Sequence, residues 1–268
     1  MKGSLRHIAI SVPDKEREAK FYEDCFGFTR QSESSIAARL SDGAISLTLL
    51  TFPTDEDAGD ERGKDFVGMH HFGIWYDDMK AACSAVEAAG GRTKPIEGEI
   101  PMTGAELKYR DPDGVVFDVS VGGWHGAVKE TDAAAAAPPA SPGAGRIRHI
   151  ALGVPDMEKA AAYCEAAYGF TRAKQTKKRI YMTDGLINFT LMPDDDAPGL
   201  APGERFVGIH HFGILVDDVA ETCRRMEAAG ATSMTTASTL DTANAQGRYR
   251  DPYGIIVEVS ANNWEGAR

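Results

Sequence analysis

The sequence predicts an α+β protein of two duplicated domains, and three observations carry that prediction. Short stretches alternating between apolar and polar residues run straight into capped helical periodicity, so strands and helices follow one another in small units. The stretch Phe66-Val-Gly-Met-His-His-Phe-Gly-Ile-Trp-Tyr-Asp-Asp78 returns as Phe206-Val-Gly-Ile-His-His-Phe-Gly-Ile-Leu-Val-Asp-Asp218. Around it, matches recur in register. Arg148-His149-Ile150 repeats Arg6-His7-Ile8, Gly169 to Arg172 repeats Gly27 to Arg30, and Asp184-Gly185 repeats Asp42-Gly43, all at an offset of 142; Tyr249-Arg-Asp-Pro252 and Glu258-Val-Ser260 follow at an offset of 140.

Residues 5–12 read as the first strand, with Ile8, Ile10 and Val12 on an oily face and His7, Ala9 and Ser11 on the other. Pro13-Asp14 opens a helix whose inner stripe is Ala19, Tyr22 and Phe26, and Gly27 closes it. Three strands follow, the clearest at residues 36–40 and 44–52 around the Asp42-Gly43 turn. After a charged loop at residues 55–65 the histidine stretch starts a second unit, with Phe72, Ile74 and Tyr76 opposite His71, Gly73 and Trp75. Its helix carries Met79, Ala82, Cys83 and Val86 and ends at Gly90-Gly91. Residues 107–110, the turn Asp111-Pro-Asp-Gly114 and a strand at 115–121 complete it, and in that strand Asp118 faces away from Val115, Phe117 and Val119. A carboxylate in so apolar a strand needs a partner. The domains are therefore residues 1–125 and 146–268, joined by an Ala/Pro-rich linker at 126–145, with the second domain repeating the first.

At 268 residues and 43% apolar content, each domain has the material for a packed core. Forty acidic against 29 basic residues, a formal charge of −11, argue against nucleic acid and anionic membranes as partners and for a small molecule. No apolar run has a membrane span's length, and Met-Lys-Gly-Ser is not the start of a signal peptide, so a soluble, cytoplasmic protein is expected; a homo-oligomer is compatible with all of this. Cys25, Cys83, Cys164 and Cys223 form no CxxC pair and read as buried thiols.

Six of seven histidines lie in the repeated strands, and only His125 lies outside. Aligning the strands on their small third residue (Ala9, Gly73, Ala151, Gly213) makes His71 and His211 the equivalents of His7 and His149. The small residues themselves are expected to leave room for substrate. Forty-seven residues after His71 and His211 come Asp118 and Glu258, so each domain offers two histidines and one acid on its non-oily face. A single histidine is more often a satisfied core residue than a ligand. Fourfold recurrence with matched acids argues for metal, because two neutral imidazoles and a carboxylate fill one face of an octahedral ion and leave adjacent positions for a bidentate ligand or dioxygen. Fe(II) suits this set first, with Mn(II), Co(II) or Zn(II) as alternatives. His70 and His210 fall on the oily-face parity and read as structural.

With these residues on the page, the chain resembles the vicinal oxygen chelate superfamily of glyoxalase I, bleomycin and fosfomycin resistance proteins and extradiol dioxygenases. The resemblance covers residues 5–124 and 146–264 and rests on His-Ile-Ala-Ile-Ser-Val followed by Pro13-Asp14, on the second histidine strand, and on Asp-Pro-x-Gly followed by the acid. It implies four βαβββ modules paired into two domains, with sheets curled around a metal cleft. Two such domains most resemble extradiol dioxygenases, which implies a main site of His149, His211 and Glu258 and a lesser one of His7, His71 and Asp118. Two departures stand out. No histidine follows His211, where extradiol enzymes have a catalytic one, and Tyr249 stands one residue nearer Pro252 than usual. Ser46 and Asn188 occupy the position of the further acid ligand of glyoxalase I. Tyr249 and Arg250 are the expected catalytic residues; Tyr109, Arg110, Asn188, Thr190 and Trp75 are further candidates around the ligands, and Trp124 and Trp264 read as packing anchors. The expected function is a metal enzyme that chelates a small substrate through vicinal oxygens, first an extradiol-like Fe(II) dioxygenase. The alternatives are a glyoxalase-like isomerase, epimerase or lyase, or a metal-free binding protein.

Overall fold

The computed structural model describes residues 2–59, 62–93, 106–234 and 247–268. In the N-terminal half, β1 (Ser4–Ser11) leads into α1 (Lys15–Phe26), then β2 (Thr29–Glu33), β3 (Ala37–Ser41) and β4 (Ser46–Leu50). Helix α1 starts where the sequence says it should: Asp14 is an extended cap residue whose side chain accepts from the Glu16 and Arg17 amides. It stops at Gly27, whose φ of 68° is left-handed and suits glycine. A helical turn, α2 (Asp55–Ala58), capped by Thr54, stands inside the segment expected to be loop. The second unit is β5 (Gly68–Trp75), α3 (Met79–Ala88), β6 (Glu106–Arg110) and β7 (Val116–Ser120).

The connecting segment is packed rather than loose: α4 (Thr131–Ala136) forms in it, Ala134 is fully buried, and Val128 N–H donates to Ala44 O at 2.9 Å. The C-terminal half repeats the order with β8 (Arg146–Val154), α5 (Met157–Tyr163), β9 (Thr171–Gln175), β10 (Ile180–Thr183), β11 (Asn188–Pro193), β12 (Gly208–Leu215), α6 (Val219–Ala228), β13 (Thr232–Ser233), β14 (Gly247–Arg250) and β15 (Ile256–Ser260). Here α5 widens into a π-helical turn, Cys164–Tyr168, before Gly169 closes it.

Each half makes one mixed sheet. The first runs β2-β3-β4-β1-β5-β7-β6 and the second β13-β14-β15-β12-β8-β11-β10-β9. In each, the two histidine strands lie side by side and antiparallel at the centre, and the acid strand runs parallel to the second of them. The oily faces meet in a shared core where Phe72 packs against Phe189 and Tyr22 against Phe212. Burial of this apolar surface is the main force joining the halves. Two buried ion pairs cross the same junction: Arg6 Nη1 meets Asp184 Oδ2 at 2.6 Å, and Arg148 Nη1 stands 3.6 Å from Asp42 Oδ2. Both aspartates also hold the opposite domain's first strand, through Leu5 N–H to Asp184 at 3.0 Å and Ile147 N–H to Asp42 at 2.7 Å.

Candidate metal centres

The side chains that alternation turns away from the shared core gather into two triads, one per sheet. In each, one ligand atom per residue lies within 4.8 Å of the others, and all six residues are buried. Strand register produces this. His71 pairs across from Ala9, His7 from Gly73, and Gly73 from Asp118, so the three side chains stand on adjacent strands of one face. The second sheet repeats the scheme with His211 opposite Ala151, His149 opposite Gly213, and Gly213 beside Glu258.

The C-terminal triad is tightly oriented. His149 Nε2 lies 3.2 Å from His211 Nε2 and 3.8 Å from Glu258 Oε2, while His211 Nε2 is 3.5 Å from Glu258 Oε1. Asn188 Nδ2 donates to Glu265 O at 2.7 Å, which fixes its amide with Oδ1 toward His149 Nδ1 at 2.6 Å. An amide oxygen only accepts, so His149 carries its proton on Nδ1 and keeps a lone pair on Nε2. Burial holds His149 below the usual imidazole range against the pull of Glu258; burial and then His149 hold His211 well below it. Both rings are neutral at pH 7, the form that ligates a cation. Arg248 closes the site by donating Nε and Nη2 to Glu258 Oε1 at 2.8 and 2.5 Å.

The N-terminal triad has the same plan with looser supports. His7 Nε2 and His71 Nε2 are 3.3 Å apart, and His71 Nε2 is 3.1 Å from Asp118 Oδ2. Lys108 Nζ takes Asp118 Oδ1 at 2.9 Å. Burial pushes the Asp118 carboxyl up, but His71 and Lys108 together outweigh it and leave the group below the usual carboxylate range. His7 is held well below the imidazole range by burial and then by His71. Ser46 occupies the register position of Asn188, and neither its hydroxyl nor His7 Nδ1 has a hydrogen-bond partner among the described residues. A cavity of about 230 Å³ opens over this triad, walled by Ile36, Arg39, Leu50, Phe52 and Trp124 among others.

Both donor sets fit a divalent cation. In each, two imidazole Nε2 atoms 3.2–3.3 Å apart converge with a carboxylate in a buried pocket, an N,N,O donor set that a cation could share. Nitrogen and oxygen donors from two histidines and one carboxylate suit Fe(II), Mn(II), Co(II) or Zn(II).

Several sequence expectations change here. His70 and His210 are not core residues by parity, because each is the extra residue of a β-bulge: pairing skips from Met69 to His71 and from Ile209 to His211. Their Nδ1 atoms lie 2.7 and 2.8 Å from Nδ1 of His71 and His211, so each steadies the triad histidine beside it. Gly73 and Gly213 make room for a tryptophan rather than for substrate. A Cβ there would stand 2.4 Å from Trp124 or 2.5 Å from Trp264, which stack on His7 and His149 with interplanar angles of 6°.

Tyr249 and Arg250 are not gathered with the triad. Tyr249 is buried in the core opposite Val257 and donates to Glu227 at 2.8 Å; Tyr109 does the same to Glu87 at 2.9 Å. Arg250 is exposed and donates to Gly254 O, Arg110 donates to Gly114 O, and Trp75 bonds Val121 O. Asn188 does support a ligand, and Thr190 donates to it at 2.6 Å. The residues that the sequence reading missed are Lys108 and Arg248. Each lies ten positions before its acid in an adjacent antiparallel strand, a spacing repeated in both halves.

Comparison with known proteins agrees with the duplicated fold. The family model described as Glyoxalase/Bleomycin resistance protein/Dioxygenase superfamily matches residues 4–119 and again 146–259. A Brassica oleracea var. gemmifera protein given the provisional name lactoylglutathione lyase is 22% identical over 201 residues, 70% of this chain and 62% of its own length. Among solved structures, the Mn(II)-bound glyoxalase from Novosphingobium aromaticivorans superposes with a TM-score of 0.65 at 18% identity, covering 96% of this chain and 82% of the other. The 2,3-dioxygenase LapB from Pseudomonas sp. KL28 gives 0.65 at 15% identity, covering 98% and 94%.

Proposed function

The chain belongs to the Glyoxalase/Bleomycin resistance protein/Dioxygenase superfamily, and from that premise we propose a divalent-metal enzyme that binds a small substrate through two adjacent oxygens, first an extradiol-like Fe(II) dioxygenase. The observation that carries the reading is the convergence of His149, His211 and Glu258, with Glu258 Oε1 tied by Arg248 and the His149 tautomer set by Asn188. A bound ion would supply Lewis acidity toward vicinal oxygens and, as iron, redox chemistry with dioxygen. The protein's part is orientation. Trp264 holds the His149 ring in plane, Arg248 keeps Glu258 from swinging away, and His210 supports His211. Tyr181, whose register places it opposite Thr190 on the same face, and Arg248 are the polar groups placed to meet substrate.

A redox-neutral isomerase or lyase is the second reading. It is favoured by the absence of any histidine after His211 and by the name of the Brassica relative. Oxygen dependence separates the two. With catechols, hydroxyquinones and α-hydroxyketones as trial substrates, Fe(II)-loaded protein should consume dioxygen in step with substrate. Full turnover under strict anaerobiosis, or with Zn(II), would reject the oxygenase and favour the isomerase or lyase.

A further inference from the structure

Away from both triads, the two halves differ at the turn that follows the core tyrosine. In the C-terminal half, Asp251-Pro-Tyr-Gly254 is sealed by α1: Tyr22 Oη donates to Asp251 Oδ2 at 3.0 Å, Glu18 is fully buried alongside, and Arg17 lies 5.3 Å from the Tyr253 ring centre. In the N-terminal half the equivalent turn, Asp111-Pro-Asp-Gly114, meets α5. There Ala160 stands in place of Glu18, Cys164 in place of Tyr22, and Asp113 in place of Tyr253. Losing those side chains leaves a cleft of about 370 Å³ between the domains.

Three features meet in this cleft. Its walls are mainly apolar, from Ala89, Pro112, Ala160, Ala166 and the Tyr163 ring. One wall is the place where α5 turns π-helical while α1 stays regular, an irregularity that often marks functional sites. Asp111 is only 7% exposed; its Oδ1 accepts from the Asp113 and Val115 amides at 2.9 and 2.8 Å, but Oδ2, the atom whose counterpart holds the Tyr22 hydroxyl, makes no hydrogen bond among the described residues. That oxygen opens onto the cleft, where a donor can reach it. Burial pushes Asp111 up to about 6, still ionised at pH 7. Asp113 and Asp156 add negative charge, and Lys159 lies 3.4 Å from Asp156. One open carboxylate oxygen with alanine and proline walls is too few ligands for a metal ion.

We propose that this cleft binds a small organic ammonium ion with an apolar body, the ammonium donating to Asp111 Oδ2 and the body lying against Pro112, Ala160 and Tyr163. Such a ligand would bridge the two domains, because the acid comes from the first and the helix from the second.

Titrating the full chain with benzylammonium by calorimetry and NMR tests this, with benzyl alcohol and benzoate as comparators. Benzylammonium should bind saturably and at least about tenfold more tightly than either comparator. Ala160→Glu restores the side chain that seals the other half and should weaken binding by about tenfold or more. Asp113→Tyr restores another sealing residue, tests the same point should the first variant fold poorly, and should act in the same direction. No saturable binding, equal binding of benzyl alcohol or benzoate, or unchanged affinity in a folded Ala160→Glu or Asp113→Tyr protein would overturn the proposal.

Discussion

The triads His7, His71, Asp118 and His149, His211, Glu258 stand at matching places in duplicated sheets, yet they are braced differently. In the C-terminal centre every support is filled. Asn188 fixes the His149 tautomer, and a two-pronged guanidinium holds the longer glutamate. In the N-terminal centre serine replaces asparagine, an ammonium replaces the guanidinium, and aspartate, one methylene shorter, must reach as far. The open cavity of about 230 Å³ lies over the less braced triad. Duplication has conserved the ligand set while the groups that orient it have diverged, and those groups set how firmly an ion is held.

The sharpest way to break this comparison is to remove ligands one site at a time. His211→Ala should abolish one bound ion per chain and most activity, whereas His71→Ala should remove a weaker ion and leave most activity, as read by metal analysis alongside turnover. Equal losses would mean that the bracing does not rank the sites.

Exchanging the braces comes next in size. Asn188→Ser should weaken the C-terminal ion by about tenfold to a hundredfold, and Ser46→Asn should tighten the N-terminal one by a similar factor by giving His7 Nδ1 an acceptor. Competition against a chromogenic chelator measures both; no change in either would remove Asn188 from the site.

Gly213→Ala should displace Trp264 from His149 and cost about 1–3 kcal/mol, seen in denaturant melts, and Gly73→Ala should do the same at Trp124. A variant of full stability would mean that the stacked rings slide without penalty.

A last prediction separates the halves by pH. Burial first, and Asp251 next, push the Glu18 carboxyl from 4.5 up to about 10, while its counterpart is Ala160. A raised acid contributes fully below its unfolded value of 4.5, and that stability is lost progressively as pH rises toward the folded value. Melting temperature should therefore fall between about pH 5 and pH 9 in the parent and fall less in Glu18→Gln. Parallel pH profiles would show Glu18 to be ionised in the fold.

Much of this was legible in the sequence. Apolar alternation, the Asp14 cap, the Gly27 stop and the repeat in register specify strands, helix ends and duplication, because each is a local rule that the core does not override. The clustering of the two triads was legible for the same reason, since period-two alternation and a fixed spacing put three side chains on one face. Alternation fails at His70 and His210, where one extra residue shifts the phase, and nothing local announces a bulge. Tyr249 and Arg250 drew attention by recurring as a motif, but the same period-two rule, applied from Val257, places Tyr249 in the core and Arg248 beside Glu258.

The crossed pairs Arg6–Asp184 and Arg148–Asp42 have a historical consequence. Each arginine sits one residue before a ligand histidine, so the strand that presents each triad is moored to the other domain. A descendant that lost the N-terminal half would leave Arg148 and the start of its own histidine strand without Asp42, and deletion of the other half would strand Arg6 in the same way. Each domain therefore supplies the counter-charge for a buried arginine beside the other domain's triad, so neither half keeps its pairing alone.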